Sequence, residues 1–306
     1  MPAASLKGKN IAQKQYTTIK SNYMEIKSLA GIDFDTIFEG FSQAFAEYEL
    51  QQDRTQFRKM LQRRGFNPEL SFAAFEGNRI VAFTFNGIGN YKGIPTAYDT
   101  GTGTLKEYRG KGLATKIFEH SVPYLKEANL GQYLLEVLQH NPKAISVYRN
   151  LGFEVTREFD YFMQVKERVA NWVANPDPSY SVKQIDISEY ASIPEFWDFQ
   201  PSWQNSLESV KRAAGDLVGL GVFTGNQLIG YCVFEPASGD ITQIAVDKKH
   251  RRKGVGSLLF QKIMQFDQSN LIKIINTDIS CETLINFLKT KNIHMKGRQF
   301  EMVKAL

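Results

Sequence analysis

Arg109-Gly110-Lys111-Gly112-Leu113-Ala114 is the stretch on which the fold turns, because the chain writes it a second time as Arg251-Arg252-Lys253-Gly254-Val255-Gly256. Gly254 stands 142 residues after Gly112, a spacing the size of a domain. Each copy follows a strand-like run and opens a helix. Leu113, Ile117 and Phe118 stripe the first helix, and Val255, Leu258, Leu259, Ile263 and Phe266 the second. Both stretches are therefore glycine-bearing turns at a helix N-terminus, repeated once along the chain.

Such a turn binds anions. Glycine lacks the Cβ that would hold a phosphate off the backbone, the first helical N–H groups have no intrahelical partner, and the helix dipole favours negative charge there. Arg109, Lys111, Arg251, Arg252 and Lys253 add cationic donors, so a diphosphate suits both loops. The nucleotide-hydrolase loop is excluded, since it needs Gly-Lys followed by Ser or Thr and here each lysine precedes its glycine. The three spaced glycines of a dinucleotide fold are also missing.

The 306 residues, 42% hydrophobic and 23% charged, suit two modest domains. Net charge is +5 and the pI near 9.0, with much of the visible clustering in the two loops. A phosphate-bearing ligand accounts for it, and no aromatic-basic stripe or helix-turn-helix pattern points to nucleic acid. Cys232 and Cys281 are far apart and outside any CxxC spacing, which reads as reduced thiols in a cytoplasmic protein. His120, His140, His250 and His294 are isolated, so no metal is expected. No run of 18 apolar residues exists, which leaves a membrane partner unsupported. Residues 1–22 read as a disordered extension.

The pattern runs in order as a strand at 23–29, helices at 33–50 and 56–64, a strand pair at 70–75 and 79–85, and a glycine-spotted strand at 97–105 that leads into the first loop. Glycine inside a strand marks a bulge or a close backbone approach. After the loop helix, which Pro123 kinks or ends, come a strand at 133–138, a helix from Asn141-Pro142 and a strand or hairpin at 153–165. Residues 171–180 carry Pro176 and Pro178 and read as a linker. The plan then repeats: a strand at 181–185, helical regions at 193–199 and 206–215, strands at 217–224, 228–235 and 241–246, the second loop, a strand at 271–277, a helix at 282–289 and a closing strand at 298–303.

An Arg-x-x-Gly-x-Gly/Ala turn after a strand resembles the acyl-CoA pyrophosphate loop of the GNAT superfamily of N-acyltransferases. Gly101-Thr102-Gly103-Thr104 before the loop, Leu135-Glu136-Val137 on the next strand, and Asn141, Ala144, Tyr148 and Leu151-Gly152-Phe153 beyond it also fall where that family puts them. The resemblance extends over nearly the whole chain from Met24. It implies an α/β fold of two tandem GNAT-like domains, 23–170 and 181–306, each a mostly antiparallel mixed sheet flanked by helices with a splayed central strand pair. It further implies acetyl-CoA as co-substrate and direct attack of an amine on the thioester. Free backbone groups in the splay, at Thr102 and Thr104 in the first half and Ile244 and Val246 in the second, would hold the pantetheine arm and polarise the thioester carbonyl. The cofactor-binding set expected is those four residues, Asn141, Arg109, Gly110, Lys111, Gly112, Leu113 and Ala114, and Arg251, Arg252, Lys253, Gly254, Val255 and Gly256.

Two proton transfers accompany such a reaction, and a tyrosine hydroxyl is a sensible donor to a departing thiolate. By the resemblance Tyr148 is the acid, the alternative being a core aromatic on the Ala144/Leu151 stripe. Asp99 and Glu136 are both open as the base. The second half has Leu288 at the Tyr148 position and so lacks the acid. Residues 195–206, with Trp197, Phe199, Trp203 and Gln204, read either as core packing or as a substrate wall. Glu39, Glu47, Glu49 and Asp99 would line an acidic mouth for an ammonium, or the glutamates are a solvated helix face. The function expected is N-acetylation of a small-molecule amine in the first half. A non-catalytic acyl-CoA-binding protein, or catalysis in the second half, is the alternative. Monomer and homodimer are both open.

Overall fold

The computed structural model describes residues 24–47, 51–170 and 177–306. The expected extension over 1–22, most of the expected linker and Glu49 lie outside the described residues. The first half contributes β1 (Met24–Ser28), α1 (Phe34–Ala44), α2 (Arg54–Arg64), β2 (Phe72–Glu76), β3 (Arg79–Tyr91), β4 (Ile94–Thr104), α3 (Leu113–Glu127), β5 (Gln132–Leu138), α4 (Pro142–Asn150) and β6 (Glu154–Val165). The second contributes β7 (Tyr180–Gln184), α5 (Leu207–Arg212), β8 (Val218–Thr224), β9 (Gln227–Glu235), β10 (Asp240–Val246), α6 (Val255–Phe266), β11 (Leu271–Asp278), α7 (Glu282–Thr290) and β12 (His294–Ala305).

Local chemistry explains most of these boundaries. Asp33, Asp53 and Asn141 cap α1, α2 and α4 by accepting from Thr36 N, Gln56 N and Ala144 N, and Gly65 ends α2 at φ 78°. The helix expected over 33–50 stops at Ala44. Pro123 does not end α3, which runs on to Glu127 because Ile117, Ser121 and Leu125 continue one buried stripe past it. The segment 153–165 is one strand rather than a hairpin, and the helical region at 193–199 is reduced to a short 3-10 turn, Ile193–Phe196.

All twelve strands form one sheet in the order β1-β2-β3-β4-β5-β12-β6-β11-β10-β9-β8-β7. Each half keeps its first five strands on its own side and exchanges its last. The closing strand of the second half, β12, lies between β5 and β6, and the closing strand of the first, β6, lies between β12 and β11. The sheet therefore crosses the boundary between halves through two interleaved strands. Apolar clusters build on both faces: Phe41, Phe57, Phe83 and Phe85 under α1 and α2, and Phe118, Ile145 and Phe153 with β5 under α3 and α4.

The central pair of each half parts at a bulge. β4 pairs in parallel with β5 only from Thr96 to Tyr98, opposite Gln132 to Leu134, and its register against β3 then slips at Thr100. β10 pairs with β11 only at Asp240, opposite Lys273, and its register against β9 slips at Thr242, the residue that corresponds to Thr100 at the repeat spacing. An extra residue in one strand increases the local twist and ends the pairing, so the same device splays both strand pairs at the same position.

The loops that follow repeat in backbone detail. Gly110 has φ 78° and Gly112 φ 72°, and in the second half Arg252 has φ 63° and Gly254 φ 85°. Arg252 thus holds, with a side chain, the left-handed conformation that the first half gives to glycine, at a cost of about 1 kcal/mol. We expect Gly110→Arg to destabilise the protein by about 1 kcal/mol in urea unfolding, with Arg252→Gly unchanged or more stable. Nothing lies within 4 Å of a Cβ built on Gly110, so a much larger loss would refute this backbone account.

Candidate active site

Both loop helices begin on a left-handed glycine with no capping side chain. Their first-turn N–H groups are left for solvent or an anion. A Cβ at Gly110 or Gly112 would meet nothing within 4 Å, so the first cradle is open space of the kind a diphosphate requires. The two leading arginines turn back rather than outward. Arg109 donates from Nε to the Thr104 carbonyl at 3.2 Å and from Nη1 to Glu47 at 2.9 Å, and Arg251 donates from Nε to the Val246 carbonyl at 3.0 Å and from Nη2 to Asp198 at 3.0 Å. They brace the loop against the end of the splayed strand. Lys111 lies over the Tyr108 ring. Glu47 is engaged by Lys106 and Arg109 and Glu39 accepts from Gln43, so these carboxylates do not gather with Asp99 into one acidic mouth.

Beyond the first loop, Thr84, Asp99, Thr102, Ala114, Phe118, Tyr133, Val147, Tyr148 and Leu151 line a cleft under the splay. Asp99 Oδ2 accepts from Thr102 Oγ1 at 2.9 Å and from the Tyr148 hydroxyl at 3.1 Å, while its Oδ1 is covered and has no hydrogen-bond partner. Burial pushes the Asp99 carboxyl above its ordinary range, against the pull of those two hydrogen bonds. The Tyr148 ring stands edge-on to Phe153 at 5.6 Å, which holds the hydroxyl at the mouth of the splay. Asn141 caps α4 and so fixes the helix that carries Tyr148.

Glu136 is on the opposite face. Along β4, Ala97 and Asp99 face α3 and α4, whereas Tyr98 faces the other way, stacked on Trp203 at 5.2 Å. The Tyr98 hydroxyl donates to Glu136 Oε2 at 2.7 Å, and Gln204 Nε2 donates to the same oxygen at 2.9 Å. Glu136 Oε1 has no hydrogen-bond partner. Burial raises this carboxyl as well, opposed by Tyr98, the Arg64 charge and the nearby Asn276 amide. The two carboxylates left open as bases therefore stand on opposite sides of the opening, with Tyr148 beside Asp99 alone.

The aromatic segment at 195–206 is core rather than cleft wall at Trp203, which is 1% exposed and donates Nε1 to the Arg64 carbonyl at 2.9 Å. The two arginines that close α2 stand in no motif, and the sequence alone does not single them out. Arg64 donates to the Thr100 carbonyl at 2.8 Å, at the first bulge, and Arg63 donates to Thr242 Oγ1 at 3.0 Å, at the second, and to Asp240 at 2.7 Å. Burial opposes the Asp240 charge, but Arg63 and Lys273 more than offset it and hold the carboxyl below its usual range. Adjacent side chains of one helix thus reach both splays.

The second cleft has the loop without the polar lining. Ile244 stands where the first half has Thr102, and Cys232, opposite Ile244 in the ladder, stands where it has Thr84. Leu288, 1% exposed, takes the place of Tyr148, and Val246, Leu284 and Phe287 join the same apolar cluster. Burial pushes the Cys232 thiol well up. The side chains of Ile244 and Val246 are thus apolar, while Arg251, Arg252, Lys253, Gly254, Val255 and Gly256 keep the turn. Among the described residues no group of His, Cys, Asp and Glu could hold a metal ion, and no helix is long and apolar enough to cross a membrane.

Comparison with known proteins agrees with this geometry. The profile of the Acetyltransferase (GNAT) family matches residues 34–153 and again 180–286. N-alpha-acetyltransferase 30 of Schizosaccharomyces pombe is 31% identical over 98 residues, 31% of this chain and 65% of that protein. Mycothiol acetyltransferase of Catenulispora acidiphila is 27% identical over 132 residues, 40% of this chain and 41% of that protein. The matches thus span less than two thirds of each relative. Among solved structures, a tandem GNAT protein from the clavulanic acid biosynthesis pathway superposes with a TM-score of 0.72 at 15% identity, covering 92% of this chain and 98% of that one. A putative acetyltransferase from Pyrococcus horikoshii gives 0.67 at 13% identity, covering 96% and 94%. With the family matched in both halves over most of its length, the chain belongs to the GNAT acetyltransferase family and has a tandem GNAT fold.

Proposed function

We propose that the protein transfers an acetyl group from acetyl-CoA to the amine of a small molecule, and that the chemistry takes place in the first half. One observation carries the choice of half: Asp99, Thr102 and Tyr148 converge at the first splay, where the second offers Ile244, Cys232 and Leu288. Both curated relatives are named for acetyl transfer, which supports acetyl as the group moved. Open space at Gly110 and Gly112, an uncapped helix start and a covered, unpartnered Asp99 Oδ1 fit the co-substrate.

Bound there, acetyl-CoA supplies a thioester whose C–S bond breaks as a C–N bond forms, so that one proton must leave nitrogen and one must reach sulfur. The first-turn N–H groups of α3 and the αL glycines would hold the diphosphate. The β4 backbone from Thr102 to Thr104, freed from β5 by the bulge, would hold the pantetheine amides and orient the carbonyl, a backbone donor of this kind contributing about 3 kcal/mol. Tyr148 would protonate the departing sulfur, with Asp99 fixing its hydroxyl through Oδ2. Glu136, across the sheet, would take the proton from the amine. Arg109 and Arg251 brace the loops rather than grip phosphate.

Calorimetric titration with acetyl-CoA tests the assignment. We expect one site on the wild type, a loss of about 100-fold or more in affinity, near 2.7 kcal/mol, for Gly112→Glu, and retained binding for Gly254→Glu. A thiol-release screen over small amines then looks for turnover. Two sites of equal strength would refute the inactive second cleft, and no binding at all would refute the acetyl-CoA reading.

A further inference from the structure

Gln204 belongs to the second half by sequence, yet its side chain ends in the first-half site. It is carried there on the turn Trp203–Asn205, pinned by the Trp203 stack on Tyr98, by Trp203 Nε1 on the Arg64 carbonyl and by Arg63 Nε on the Gln204 carbonyl at 2.9 Å. Its amide is used at both ends. Arg64 Nη2 donates to Oε1 at 2.9 Å, and Nε2 donates to Glu136 Oε2 at 2.9 Å. The orientation of that amide is settled by chemistry, since a guanidinium only donates and must face the oxygen, which leaves the nitrogen for the carboxylate.

The consequence concerns Glu136. Its Oε2 receives two donors, Tyr98 and Gln204, so a proton arriving on this carboxyl must go to Oε1. That oxygen is covered in the resting protein and has no hydrogen-bond partner in that geometry, with the Asn276 amide nearby, and its residue lies on β5 two residues past the last β4–β5 pair, Tyr98 with Leu134, where the strands have already parted. Resting on the acetyl-transfer reading above, we propose that Gln204 is a positioning residue supplied by the second half, which with Tyr98 occupies Glu136 Oε2 and so presents Oε1 to the proton of the acceptor ammonium. The proton leaves nitrogen for Oε1, the nitrogen lone pair becomes free to attack, and Glu136 returns the proton to solvent after turnover. A half whose own cleft is apolar is then needed by the other half for its chemistry.

The test reads the carboxyl directly. In full-length protein carrying 13C-labelled glutamate, infrared titration follows the protonated-carboxyl band, which Glu136→Gln assigns by removing it. Gln204→Met keeps chain length and apolar bulk but removes the donor, and the Glu136 midpoint is expected to rise by about one pH unit, the worth of one hydrogen bond to a charged group. At saturating acetyl-CoA the acid limb of kcat/KM for the amine moves up with it, while KM for acetyl-CoA stays unchanged. Should Gln204→Met fail to fold by circular dichroism, Gln204→Glu replaces it: its ionised carboxylate accepts from Arg64 and cannot donate to Glu136, so the same upward shift is expected. A merely structural Gln204 would lower thermal stability and leave the midpoint where it was, and that result overturns the proposal. A wild type that acetylates no amine sinks the transfer reading instead, and the midpoint still reports on Gln204.

Discussion

Deletion of residues 294–306 is expected to unfold the first half as well as the second. β12 pairs with β5 from Gln132 to Leu138 and with β6 from Glu154 to Met163, both strands of the first half. Without it, two central strands become unpaired edges of the kind that drives aggregation. Glu301, 1% exposed, would no longer meet Arg157, whose Nε donates to it at 2.9 Å, and breaking a buried pair by removing one partner costs about 3–5 kcal/mol. Loss of Met302, fully buried, adds about 2–5 kcal/mol on the scale of a core side chain cut to alanine. Those two terms alone are of the order of a whole domain's stability. Expression of residues 1–170 alone should give insoluble or non-cooperatively melting protein, whereas co-expression with residues 171–306 should restore a soluble complex with one thermal transition. A soluble, cooperatively folded 1–170 fragment would show that the exchange of strands is dispensable.

That exchange was not legible in the sequence, and the reason is physical. The repeat fixes what each half contains, and the periodicity of 294–306 identifies a strand, but a strand pattern carries no label for its neighbours. β12 and β6 present similar alternation, so nothing local distinguishes pairing within a half from pairing across. What did read out were features with a backbone requirement. Gly112 and Gly254 at left-handed φ and Asn141 as a cap each favour a particular residue type, and the glycines of β4 flank its bulge at Thr100. Leu288 in place of Tyr148 was visible for the same reason, since a hydroxyl at one repeat position and an aliphatic chain at the other differ in chemistry. Gln204 and Arg64 were not assigned, because their role depends on contacts 68 and 140 residues away along the chain. Glu136 and Asp99 looked interchangeable until the pleats of β5 and β4 placed them on opposite faces.

The pleat is what gives Tyr148→Phe its expected consequences. The ring packs against Phe153 and would remain, so acetyl-CoA should bind with little change, and the stability lost with the hydroxyl should stay near 1 kcal/mol. On the proposed assignment the hydroxyl that protonates the sulfur disappears, and kcat should fall about 100-fold, within the range for one acid–base group. Asp99 would be left with Thr102 as its side-chain donor, and since Tyr148 is one of the bonds that lower its carboxyl against the effect of burial, the Asp99 midpoint should move further up. Asp99→Asn then separates two roles. If the carboxylate only orients the tyrosine, the amide accepts from Tyr148 through its remaining oxygen and kcat falls by less than in Tyr148→Phe. If instead Asp99 takes the proton from the amine, Asp99→Asn is the more severe lesion and Glu136→Gln is nearly silent. A Tyr148→Phe protein whose kcat stays within about twofold of wild type would remove the acid from the first cleft altogether, since the other phenol lining it, Tyr133, donates to Asn86 and is pushed well above its ordinary range by burial.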